Sequence, residues 1–163
     1  MDLKLHSYAR LRHPDWAAAA TAGLAAGAVV MVLELVWSSL ASEHGPWLVS
    51  HQIAAIVMGP AVLQSASFNM GVVAVALLAH YVLGIVFGLV LAAIIAAFML
   101  DSTPGKASLA GAVFGAALYL LNFHGMTRFF PWFIEARGLE ALFTHLVFGV
   151  TAALLYWKLQ RRM

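Results

Sequence analysis

The side chains able to do chemistry within or beside the apolar stretches of this sequence are Glu34, His51, His80, Asn122, His124, Glu140 and His145. Keeping an ionisable group in hydrocarbon is expensive, so each is a candidate site whose partner must be found. Three chemistries suit them. His80 and His145, meeting across a helix bundle, would ligate a b-type haem axially. Alternatively they would hold a metal ion, with Glu34, His51 or His124 as further ligands. A second chemistry is proton or solute movement, in which Glu34 and the two histidines relay protons near neutral pH. The third is plain hydrogen bonding that locks helices together, with Asn122 and Glu140 included, at roughly 0.6–2 kcal/mol per bond.

Other chemistry is sparse. The chain lacks cysteine, which removes disulfides, thiolate ligands and cysteine nucleophiles. No short His-x-His element, Gly-rich phosphate loop, nucleophile elbow or hydrolytic carboxylate pair is present. An enzyme is therefore not the expectation. His6, His13 and His44 lie outside the apolar stretches and read as solvated.

Composition says what must position these residues. Of 163 residues, 63% are hydrophobic and 10% charged, with a mean hydropathy of +0.91. A soluble domain carries about 25% charged residues to wet its surface. A core this small cannot hold so many apolar side chains, so lipid must cover many of them. The net charge of +2 does not point to nucleic acid, because the basic residues sit at the two ends and beside the apolar runs.

Four runs reach the roughly 20 apolar residues that a bilayer core requires. They cover 17–40, 72–100, 107–123 and 139–157. The first is too long for the apolar core of a signal peptide, about 7–15 residues. Segment 51–64 is short, contains Gly59-Pro60 and leads into a polar stretch, so it reads as a re-entrant or interfacial helix. The expectation is an all-α, four-span membrane domain over 1–163. Five tryptophans fall near span ends as an interfacial belt, and Phe129 to Phe133 reads as a surface anchor or partner-docking patch.

Charge orients the spans. With the N-terminus inside, Lys4, Arg10, Arg12, Lys106, Lys158, Arg161 and Arg162 fall on the inner side, and only Arg128 and Arg137 on the outer. That obeys the positive-inside rule and puts both ends in the cytoplasm. If 51–70 also spanned, the basic C-terminal residues would lie outside. In the four-span topology, the candidate residues gather in the outer half of the bilayer.

The spans also repeat. Ala22-Gly23, Gly27-Ala28 and Leu33-Glu34 match Ala110-Gly111, Gly115-Ala116 and Leu121-Asn122. His80 and Gly84 match His145 and Gly149. The chain thus reads as two copies of a helical hairpin, an arrangement known from transporters. Glycines four apart (Gly23 and Gly27, Gly84 and Gly88, Gly111 and Gly115) allow close helix packing within the bundle or across a homodimer.

From Ala79 onward the sequence resembles the YagU family of small bacterial inner-membrane proteins. The residues concerned are His80, Gly84, Phe87, Gly88, Gly111, Gly115, Tyr119, His124, Pro131-Trp132, Glu140 and His145-Leu-Val. The resemblance covers about half the chain and implies a bacterial inner-membrane location, without specifying an activity. Membership of a homo-oligomer or larger membrane complex is the expectation for so short a chain.

Overall fold

A computed structural model describes residues 13–41 and 45–160. Lys4, His6, Arg10, Arg12, His44, Arg161 and Arg162 lie outside them. The described residues form an all-α bundle: α1 (Trp16–Ala41), α2 (Leu48–Met58), α3 (Met70–Ala97), α4 (Pro104–Leu120) and α5 (Leu139–Leu159). All but α2 belong to segments long and apolar enough to cross a membrane.

Helix starts follow from polar residues placed before the apolar runs. Asp15 Oδ1 accepts from Ala18 N at 3.0 Å, Asn69 Oδ1 from Val72 N at 3.1 Å and Thr103 Oγ1 from Lys106 N at 3.2 Å. Each satisfies one of the backbone donors that a helix leaves open. Pro104 adds a pre-set φ at the first position of α4.

Packing is dictated by glycine. Gly23 lies against the backbone of Gly84 and Gly88, and Gly27 beside His80. Gly111 lies against Gly149 and Ala153, and Gly115 against His145. The second set reproduces the first, residue for residue, through the two sequence repeats. These glycines therefore act within the hairpins α1–α3 and α4–α5, not on a homodimer face. With no hydrophobic drive between helices in lipid, such close backbone contact supplies the dispersion energy that holds them.

The two hairpins join through α1 on α5, around Ala22, Ala26, Leu91, Ile95, Phe148 and Tyr156. The pair that symmetry would make equivalent, α3 and α4, barely meets. The bundle is thus open on that side. Away from the opening, the α3–α4 turn is tied to α5, with Trp157 Nε1 donating to Asp101 O at 3.0 Å. Outward faces are apolar and exposed, including Leu24, Val32, Leu78, Val86, Leu109 and Val113, as a lipid-facing surface requires.

α2 packs on α3. Its 11 residues span about 16 Å at 1.5 Å per residue, too little to cross. Gly59 ends it at φ +85°, a conformation that favours glycine, and Pro60 opens a short 3-10 turn to Gln64. His51 locks the return of the chain. It is 3% exposed, with Nδ1 2.6 Å from Val62 O and Nε2 2.9 Å from Ser67 O. Replacing His51 by alanine removes the one N–H that a neutral ring donates to these carbonyls, and a lost buried hydrogen bond costs about 1–3 kcal/mol. The expected result is faster amide exchange confined to residues 48–69 while α4 and α5 stay protected. Unchanged exchange there would show that the clasp contributes nothing.

Candidate functional site

Where α1 and α4 end and α3 and α5 begin, the bundle encloses a cavity of about 490 Å³. Glu34, His80, Asn122, Glu140 and His145 all line it, so one chamber gathers five of the residues that the sequence singles out. The repeat explains this convergence. His80 and His145 occupy equivalent places on α3 and α5, and Glu34 and Asn122 equivalent places on α1 and just beyond α4.

The remainder of the lining is largely apolar. Val30, Phe87, Leu118 and Phe148 form its deep wall. Val49, Gln52, Ile53 and Ile56 of α2 and Phe130 and Phe133 of the 121–138 segment cover its end. Those two covers are joined, because Trp132 Nε1 donates to Gln52 O at 3.1 Å. The aromatic run 129–133 therefore contributes a roof to the cavity.

α4 gives way to a wide π-helical turn at Leu121–Gly125, a distortion that recurs at functional sites. The turn carries Asn122 and Phe123 into the cavity wall. Arg137 secures it by donating from Nε to Phe123 O and from Nη2 to Thr127 Oγ1 at 3.2 Å. His145 Nδ1–H donates to Ala141 O at 2.8 Å, since a carbonyl only accepts. Nε2 then accepts from Asn122 Nδ2 at 3.1 Å. This tautomer follows from the network, and Phe123 packs on the ring with centroids 5.4 Å apart.

The first hairpin is wired differently. His80 Nε2–H reaches across to Gly27 O at 2.9 Å, which turns Nδ1 into an acceptor. Glu34, the counterpart of Asn122, has no hydrogen-bond partner among the described residues, and it lines the cavity. It also lines a second cavity of about 220 Å³ beside Pro46 and Trp47. Glu34, Val49, Ile53 and His80 border both spaces and so form the partition between them. Glu140 is exposed in the first turn of α5, where the helix dipole favours a negative charge.

His51 and His124 are not brought to the site. Both ring nitrogens of His51 lie against backbone carbonyls of Val62 and Ser67, away from the cavity lining. His124 is exposed and packs edge-on to Tyr119, ring centroids 5.6 Å apart. Among the described residues no group of three or more His, Cys, Asp or Glu is arranged to hold a metal ion. A haem between His80 and His145 fits poorly, because both nitrogens of His145 and Nε2 of His80 already serve the bundle. Axial ligation would break those bonds.

Three buried polar residues of the lining are not among the sequence candidates: Ser38, Gln52 and Thr144. Spacing held a signal for two of them. Ser38 is four residues from Glu34, and Thr144 four from Glu140, which puts each pair on one helix face. Gln52 gives no such sign, because only the tertiary placement of α2 turns it inward. No protein-family model, curated protein or solved structure matches the chain.

Proposed function

We propose that this multi-pass membrane protein binds a small amphipathic molecule inside its bundle. The ligand's polar end meets Glu34, His80, Asn122 and Glu140, and its apolar body lies along Phe87, Leu118 and Phe148. The observation that carries this reading is the largely apolar cavity of about 490 Å³ on which Glu34, His80, Asn122, Glu140 and His145 converge. Concave, mostly apolar pockets with a few convergent polar groups are the usual form of small-molecule sites. The sparse contact between α3 and α4 gives such a ligand a way in from the bilayer.

The positive-inside bias supports a cytoplasmic placement of both ends, and the likeness to the YagU family supports a bacterial inner membrane. Membership of a homo-oligomer or larger membrane complex belongs to the same proposal. Haem or metal binding is less favoured, for the geometric reasons above. A second reading, carriage of a solute or proton past Glu34 and His80, rests on the smaller cavity that these residues share with the larger one.

Purification in native lipid nanodiscs, followed by mass measurement of what copurifies, tests the binding reading. An amphipathic small molecule is expected at near-stoichiometric amounts, distinct from the bulk lipid pool. A folded protein that retains only bulk lipid, and that quenches no Trp37 fluorescence with any added amphipath, would end it.

A further inference from the structure

Resting on the binding reading above, we propose that the ligand of the larger cavity is cationic at its polar end, an organic ammonium seated between Glu34 and Glu140. Charge balance is the first argument. Among the described residues the lining holds two carboxylates and no lysine or arginine. Hydrogen-bond polarity is the second and is independent of charge. His80 Nε2–H is committed to Gly27 O, so its Nδ1 offers a lone pair. Asn122 spends an N–H on His145, so its carbonyl oxygen remains an acceptor. Together with both oxygens of Glu34, these acceptors stand in a lining that also carries the donors Trp37, Ser38 and Gln52. A ligand with several N–H donors engages those acceptors, whereas an anionic headgroup meets repulsion from the two carboxylates.

The hairpin comparison isolates Glu34. The second copy closes on itself through Asn122 and His145, but the first leaves its equivalent carboxylate without a hydrogen-bond partner among the described residues. A carboxyl group in an apolar site is costly to keep ionised without a partner, and a cation from outside the chain would favour its ionised form. The surrounding rings of Trp37, Phe87, Phe123, Phe130, Phe133 and Phe148 add faces that attract cations within about 6 Å.

The test uses three probes with one aromatic body: naphthylmethylammonium, naphthylmethanol and naphthoate. Each is titrated into nanodiscs holding the full chain, with empty nanodiscs as the blank. Saturable binding of the ammonium at least about tenfold tighter than the alcohol is expected, a difference worth about 1.4 kcal/mol, and no saturable binding of naphthoate. Glu34→Gln should erase the gap between ammonium and alcohol, and Glu140→Gln should narrow it. Circular dichroism and elution volume confirm that each variant is folded. Equal affinities for ammonium and alcohol, or a preference for naphthoate, would overturn the cationic ligand while leaving the cavity as a binding site. Absence of saturable binding for all three probes would overturn both.

Discussion

Gly149→Val and Gly111→Val are expected to abolish recovery of a folded, monodisperse protein, and Gly23→Val and Gly88→Val to do the same from the other hairpin. A side chain at Gly149 points onto the backbone of Gly111, and one at Gly111 onto the backbone of Gly149. At Gly88 an added Cβ meets Gly23 Cα at 2.6 Å and Ala19 O at 2.8 Å. The neighbours are main chain, so no rotamer change relieves the overlap, and the helices must separate along the whole crossing. Overpacking by even one methylene costs about 1–3 kcal/mol, and valine adds more than that against atoms that cannot turn aside. Alanine should give an intermediate loss of thermal stability. Gly105→Ala is the control. Its nearest atom is Thr103 Oγ1 at 4.0 Å, and removing a helical glycine gains about 0.5–1 kcal/mol. Thermal unfolding in detergent with size-exclusion profiles reads all of these. A Gly149→Val protein that elutes and melts like the parent would show that the hairpins do not pack as described.

Filling the cavity should remove ligand binding without unfolding the bundle. Ala141 and Ala136 line the chamber from α5 and from its roof, and both are only partly buried. Tryptophan at either place projects a large apolar body into existing space, so it adds packing in place of displacing helices. Ala141→Trp and Ala136→Trp are each expected to weaken binding of the naphthyl ammonium by more than about a hundredfold, equal to about 2.7 kcal/mol. The melting temperature should fall by no more than a few degrees. Two positions on different elements guard against a local distortion at one of them. Parent-like affinity in both variants would place the ligand elsewhere on the protein.

At the level of spans the fold is set by local features of the chain. Apolar length and the polar residues Asp15, Asn69 and Thr103 define α1, α3 and α4 to within three residues of the sequence reading, because a bilayer and a helix terminus impose simple local demands. The repeat was legible for the same reason: Gly23, Gly84, Gly111 and Gly149 are irreplaceable where backbones touch. The pairing of His80 and His145 in one chamber follows from that repeat. What the sequence left open was which nitrogen each histidine would use. That depends on Gly27 O being presented to α3 and on the π turn swinging Asn122 toward α5.

Sequence alone determined that four long apolar helices exist, that they come as two similar hairpins, and that their polar groups share one end, since period, length and glycine spacing are properties of the chain itself. Tertiary structure decided the rest. α1 lies on α5 while α3 and α4 stand apart, so an otherwise repeated bundle acquires a cavity. His51 and His124 turn away from it, and Gln52 and the aromatic roof turn in. The physical reason is that helix faces in lipid are chosen by shape and by the few polar bonds available. Small differences between the copies, Glu34 against Asn122 above all, therefore settle which polar group is satisfied within the protein and which is left facing the cavity.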